Sequence, residues 1–119
     1  MRRGEVWDVS LDPTEGSEQA GIRPVIIVSR DAINASSSFV LAVPCTTYRM
    51  GKRIYPSQVL IMAPDGGFER DSVAMAEQVR ALAKNRFLCL RGAISPQYLQ
   101  RLELALLITF DLPGQGDIE

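Results

Sequence analysis

Arg23 stands at the point in this chain best suited to chemistry. It follows a polar loop, Ser17-Glu18-Gln19-Ala20, bounded by Gly16 and Gly21, and it precedes the apolar run Pro24-Val25-Ile26-Ile27-Val28. The glycines supply the positive φ angles that a tight loop path needs. Pro24 fixes its own φ and drives Arg23 into an extended conformation. A permanently charged side chain is thereby held on stiff backbone where a loop feeds a buried strand, and such strand ends are good foundations for a site. The plainer alternative is a surface arginine that bonds loop carbonyls.

A second constellation lies from Thr46 to Gln58. It holds three cations, Arg49, Lys52 and Arg53, with Tyr48 and Tyr55 interleaved and no acid. Cations for phosphates and aromatic faces for bases are what a nucleic-acid single strand requires. A solvated basic loop is the competing reading.

Composition narrows the chemistry. The chain has 119 residues, no histidine, two cysteines and a net charge of −1; its pI is about 5.5. Without histidine, Ser-His-Asp and Cys-His catalysis are excluded, as are hydrolytic metal sites built on imidazole. Acid–base work must fall to carboxylates, lysine, tyrosine, cysteine, water or an arginine-assisted hydroxyl. Cys45 and Cys89 each sit in apolar runs and read as buried free thiols, with no zinc site to join. The near-neutral charge argues against strong non-specific binding to nucleic acid. No apolar run approaches the length of a transmembrane helix, and Arg2-Arg3-Gly4-Glu5 lacks the apolar core of a signal peptide. A cytoplasmic protein with no membrane association is expected.

These residues need elements to position them. Residues 4–11 alternate as a half-buried strand with Trp7, Val9 and Leu11 inward. Asp12-Pro13 turns into the loop, and residues 23–29 form a strand buried on both faces. Residues 30–38 connect, with one short helical turn at 31–34. Residues 39–45 form a third strand, whose Pro44 demands an edge or a bulge. Thr46-Thr47 then opens the basic loop. Residues 57–62 read as a fourth strand, Pro64-Asp65-Gly66-Gly67 as a turn, 71–82 as one further strand, 84–87 as a helical turn and 88–94 as a last strand. Ser95-Pro96 starts a helix with a serine cap and proline at its first position. Leu99, Leu102, Leu106 and Phe110 recur at helical spacing, and Leu104, Leu107 and Ile108 widen the apolar face, so cover from more than one side is expected. Pro113-Gly114 should end the helix. The expected fold is α+β: a small, strongly curved, mainly antiparallel sheet or barrel that closes or nearly closes, with one C-terminal helix, as a single domain over residues 1–112 and a flexible tail over 113–119.

Four groups of residues, in order, resemble the MazF/PemK toxins, the mRNA interferases of bacterial toxin–antitoxin modules. They are Arg3-Gly4-Glu5-Val6-Trp7; Asp12-Pro13 with Gly16-Ser17-Glu18-Gln19 and Arg23-Pro24-Val25; the apolar third strand closing in Thr46; and Phe68-Glu69-Arg70-Asp71-Ser72-Val73 followed by Glu77-Gln78-Val79-Arg80. The resemblance spans nearly the whole chain. It implies an SH3-like barrel of the CcdB/MazF type, a homodimer, a cognate MazE-like antitoxin, and cleavage of single-stranded RNA at a short sequence without a metal or other cofactor. It places the catalytic pair on Arg23 and Thr46, with Thr47 next door as the alternative. It places the substrate-binding loop on Ser17, Glu18 and Gln19, and a further substrate contact on Gln78. Tyr48, Arg49, Lys52 and Arg53 match no family pattern and stand where a cut site would be read.

The chemistry implied is self-consistent. RNA carries its own nucleophile, the 2′-hydroxyl, so a protein need only orient it in line with phosphorus and stabilise the added negative charge. Arg23 suits the charge, because its planar fork can hold two phosphate oxygens. Thr46 can bond a non-bridging oxygen or the attacking hydroxyl. Arginine is a poor base at neutral pH, so Arg23 is expected to act as a clamp, with Glu18 the candidate base. Glu18 bonding loop amides is the other reading, and Gln19 and Gln78 either read base edges or serve the backbone. The competing function is a CcdB-like toxin on the same barrel that binds a topoisomerase; it needs neither the Arg23–Thr46 pair nor an RNA groove.

Overall fold

In the computed structural model, residues 1–11 and 21–114 are described. Among the described residues seven strands and two α-helices follow one another: β1 (Glu5–Leu11), β2 (Gly21–Ile27), α1 (Asp31–Ser36), β3 (Phe39–Thr47), β4 (Gln58–Ile61), β5 (Ser72–Met75), β6 (Arg80–Ala83), β7 (Phe87–Ala93) and α2 (Pro96–Phe110). All the strand pairings are antiparallel, in the order β4-β5-β3-β2-β1-β7, with β6 also on β3. The sheet curves strongly but is not closed, since β4 and β7 end the path without pairing to each other.

β1 departs from its expected alternation. Val9 and Leu11 are buried as expected, and Trp7 packs half-buried beside them, edge-on to Phe87 at 5.9 Å between centroids. Val6, on the opposite phase, is also fully buried, in a separate and larger apolar cluster with Ile26, Val43 and Ile61. The curled sheet covers both sides of β1, so one half-polar strand contributes to two cores. β2 is buried through Val25, Ile26 and Ile27, as a continuous apolar run requires.

The stretch 71–82 is not one strand. A 3-10 turn over Ala76–Gln78 separates β5 from β6. Between the pairs Ala42–Arg80 and Cys45–Ala74, β3 advances three residues while the facing chain advances six. The surplus is looped out as the turn. Pro44 lies at this break, paired only with Val25 on the other side. It is neither on an edge strand nor in a bulge of its own strand: a residue with no N–H sits where the ladder on one flank is already interrupted.

α2 lies across the larger cluster and buries Leu102 and Ala105, with Tyr98, Leu99 and Leu106 packed beside them. The Tyr98 hydroxyl accepts a bond from the Met62 N–H at 3.1 Å, and Arg3 pairs with Glu103 at 2.6 Å. Pro96 holds the first position as expected, but Ser95 makes no side-chain cap; its own N–H donates to Asp65 at 2.9 Å. The helix stops earlier than Pro113-Gly114, at Asp111 in the left-handed region (φ 55°). Beyond the sheet-facing stripe, Leu104 and Ile108 line an open groove with Val59 and Leu60 of β4. α1 is tied down by Asn34, which bonds Ser29 and is held by Lys84 through its carbonyl, and by Asp31, which accepts the Arg3 N–H at 2.7 Å. That backbone bond holds the Asp31 carboxyl below its usual range.

Candidate active site

Gly21, with φ at +79°, opens β2, and the strand register sets Arg23 opposite Val9 and Pro24 opposite Asp8. On its other side, β2 pairs with β3 through Val25–Pro44. That pairing ends at Val25–Pro44; continued for two residues it would set Thr46 across from Arg23. Directly opposed residues on neighbouring strands project from the same face, with Cβ atoms about 5 Å apart. Thr47, one residue further, falls on the other phase. Arg23 is exposed and Thr46 half-buried, and both line a cleft of about 280 Å³.

The far wall of this cleft comes from the turn before β5. Gly66 and Gly67 take φ of +69° and +80°. A Cβ on Gly67 would lie 2.3 Å from the Arg91 carbonyl oxygen, and one on Gly92 of β7 would lie 3.0 Å from the Gly66 carbonyl oxygen. Only a Gly-Gly pair lets the turn lie flat on that strand. Phe68, 2% exposed, then anchors the chain in the core, leaving Glu69 and Arg70 exposed at the cleft rim. Ser72 fixes the path by donating to the Arg70 carbonyl at 2.8 Å. Arg91 also lines the cleft, and its Nε donates to Asp8 at 2.8 Å.

A second, larger cleft of about 580 Å³ adjoins the first, and Thr46 and Thr47 line both. Its walls include Tyr48, Arg49, Lys52, Arg53 and Tyr55. The loop is built rather than loose. The Lys52 N–H donates to the Arg49 carbonyl at 3.0 Å, and the Tyr48 N–H to that of Asp71 at 2.8 Å. The Arg53 guanidinium lies 5.2 Å above the Tyr55 ring. Gln58 holds Tyr55 twice: its backbone N–H donates to the Tyr55 carbonyl at 2.8 Å, and its Oε1 accepts the Tyr55 N–H at 3.2 Å. Glu77 in turn accepts from Gln58 Nε2 at 2.8 Å and from the Ser57 hydroxyl at 3.3 Å.

The structure therefore brings Arg23, Thr46, Tyr48, Arg49, Lys52 and Arg53 into one pair of joined clefts. Gln78 is not among the residues lining either; it is exposed in the 3-10 turn with Nε2 against the Met75 sulfur at 3.6 Å. Ser17, Glu18 and Gln19 lie outside the described residues. Sequence reasoning missed Gln58, Arg70 and Arg91 as cleft residues. Arg91 alone left a signal, a cation inside the otherwise apolar run 88–94. Cys45 also borders the smaller cleft, but burial pushes its thiol well above the ordinary range, so no thiolate is available there. Cys89, expected to be buried, is exposed, because β7 ends the sheet and residues 88–91 are exposed on both of its faces. Among the described residues no three His, Cys, Asp or Glu side chains gather to hold a metal ion. No helix among them is long and apolar enough to cross a membrane.

Residues 2–110 match the family of PemK-like, MazF-like toxins of type II toxin–antitoxin systems. The chain is 41% identical to endoribonuclease MazF9 of Mycobacterium tuberculosis over 116 residues, covering 94% of this chain and 98% of that one. It is 40% identical to the endoribonuclease toxin MazF of Escherichia coli over 99 residues, 82% of each chain. In three dimensions it is similar to a mycobacterial endoribonuclease in complex with its cognate antitoxin, with a TM-score of 0.79, 27% identity and coverage of 95% and 97%.

Proposed function

The chain belongs to the PemK-like, MazF-like toxins of type II toxin–antitoxin systems and is an endoribonuclease of that kind, and from this premise we propose that it cuts single-stranded RNA at a short sequence without a metal ion, with Arg23 and Thr46 as its catalytic pair. The observation that carries the pair is that both line one cleft, which is joined to a second cleft bearing cations and tyrosines; the β2–β3 register, continued past Val25–Pro44, supports it.

The RNA 2′-oxygen attacks phosphorus, and the bond from phosphorus to the 5′-oxygen breaks. The proton of the 2′-hydroxyl passes to a base, and the departing 5′-oxygen takes up a proton. The products are a 2′,3′-cyclic phosphate and a 5′-hydroxyl. Arg23 clamps the two non-bridging oxygens as charge grows on them. The Thr46 hydroxyl bonds an oxygen of the same group and fixes the line of attack. Thr46 is preferred to Thr47 because it shares the phase of Arg23. Proton transfer falls to carboxylate and water, since arginine keeps its proton; Glu69 borders this cleft, and Glu18, which precedes β2 in sequence, is the other candidate. Tyr48, Arg49, Lys52 and Arg53 carry the adjoining nucleotides by stacking and charge, while Ser17 and Gln19 complete the substrate contacts.

The cations of both clefts also suit an acidic, extended segment of a cognate MazE-like antitoxin, which would block the RNA path. The apolar groove between α2 and β4 suits a second copy of the chain, giving a cytoplasmic homodimer. The topoisomerase-binding alternative is favoured by no feature of the clefts.

The test is cleavage of a long single-stranded RNA in EDTA with both product ends mapped. Discrete cuts bearing cyclic-phosphate and 5′-hydroxyl ends are expected. Arg23→Ala should slow cleavage by about 10²–10³-fold, the usual cost of losing a transition-state donor, and Arg23→Lys should recover little of it. Full activity in Arg23→Ala overturns the pair, and cutting abolished by EDTA overturns metal independence.

A further inference from the structure

A phosphodiester offers two non-bridging oxygens. In the mechanism above, the fork of Arg23 and the hydroxyl of Thr46 already engage them. Yet among the described residues the same cleft is lined by two more arginines, Arg70 and Arg91, with Glu69 beside them and Asp8 paired to Arg91.

Arg91 is the better built of the two. It lies on β7, and in the strand order β2-β1-β7 that is two strands from Arg23, roughly 10 Å across the sheet. Its Nε is fixed on Asp8 at 2.8 Å, with the two side chains 29% and 23% exposed. Asp8 is itself the register partner of Pro24, next to Arg23. The ion pair thus ties the cation to the frame that carries the reactive arginine. Bonding through Nε leaves the terminal NH₂ groups of the guanidinium to meet a ligand. From behind, Gly67 packs on the Arg91 backbone so closely that no side chain fits between.

We propose that Arg91, oriented by Asp8, binds a second phosphate of the RNA, the one flanking the scissile phosphate on the side away from the tyrosine-bearing cleft. This rests on the endoribonuclease reading and deepens it: the strand enters over Tyr48 and Tyr55, is cut at Arg23 and Thr46, and leaves across β1 to Arg91. Arg91 is a binding residue, and Asp8 is a positioning residue acting through it.

The experiment uses the full chain and three RNA oligonucleotides sharing one cut site: a long one, one trimmed to the cut-site nucleotides on its 5′ side, and one trimmed on its 3′ side. Arg91→Gln should raise KM for the long RNA about fivefold, as expected for one partly exposed charged contact, with kcat little changed. The defect should persist with one trimmed RNA and vanish with the other, which lacks the phosphate in question. Asp8→Ala should give the same pattern with a smaller effect and add nothing in the Arg91→Gln background. Arg91→Lys should not rescue, since lysine cannot hold Asp8 and present a fork together. Binding of the long sequence as uncleavable 2′-deoxy analogue is measured over a range of salt. The slope of log affinity against log salt should fall by about 0.7 in Arg91→Gln, the value of one single-strand phosphate contact.

A fall in kcat equal on all three RNAs, or an unchanged salt slope, overturns the proposal. Failure of the wild type to cut any RNA refutes the endoribonuclease reading instead, and the salt slope still decides Arg91.

Discussion

Replacing Gly67 by alanine should be far more damaging than replacing Gly51, although both have positive φ. At Gly51 (φ +88°) an added Cβ meets no atom within 4 Å. Its cost is the left-handed backbone alone, about 1–2 kcal/mol. At Gly67 (φ +80°) the same Cβ lands 2.3 Å from the Arg91 carbonyl oxygen and 2.8 Å from its carbon. Ordinary carbon–oxygen approaches begin at about 3.3 Å, so the turn and β7 must part by about 1 Å. Both partners are backbone, and neither can rotate away. Forced separation of packed elements adds about 1–3 kcal/mol, giving about 2–5 kcal/mol for Gly67→Ala, roughly 2 kcal/mol more than for Gly51→Ala at the midpoint. Urea unfolding at one fixed protein concentration measures both variants. In thermal melts the two should differ by roughly 8 °C, at about 4 °C per kcal/mol for a chain of this size. Equal losses, within about 0.5 kcal/mol, would refute the close approach as the reason for glycine at 67.

Two further outcomes are expected. Glu77→Ala removes the acceptor that holds Gln58 and Ser57, and so loosens Tyr55 at the cleft wall while leaving the core untouched; kcat/KM on RNA should fall several-fold, equivalent to about 1 kcal/mol, with unfolding shifted by less than that. Unchanged cleavage in Glu77→Ala would show that the Gln58 bond does not position the loop. In a thiol titration at pH 8 the native protein should react at Cys89 alone, since Cys45 is fully buried with its thiol pushed up, and denaturant should release the second equivalent; two fast thiols in the folded protein would contradict that burial.

How much of this was legible in the sequence depends on whether the signal was local. The apolar run 25–28 and the proline at the start of α2 act within a few residues, and both elements formed where expected. The end of α2 did not, because Asp111 adopts the left-handed conformation that ends the helix without a glycine. The stretch 71–82 carries Val73, Met75 and Val79 on one phase of two, with Glu77 between them and no helical stripe, so its sequence reads as a single strand. What interrupts it is the pairing offset along β3, a relation between segments some thirty residues apart that no local period encodes.

The site divides along the same line, and the division says which residues deserve functional tests. Arg23 and Thr46 were legible as cleft residues, Arg23 from the loop before it and the proline after it, Thr46 from the family resemblance. The cations of that loop were legible as composition. Arg91 and Gln58 were not, because each matters through a partner brought up by the fold: Asp8 across β1–β7 for the one, Glu77 from the extruded turn for the other. That turn also explains Gln78. Continued as a strand, 71–82 would have given Gln78 the alternating phase of a sheet residue. The looped-out turn instead carries Glu77 to the base of the tyrosine-bearing wall and leaves Gln78 exposed against Met75. Of the adjacent pair, the carboxylate is therefore the side chain with a structural connection to the substrate path, and exchanging the two residues should disturb cleavage through Glu77 rather than through Gln78.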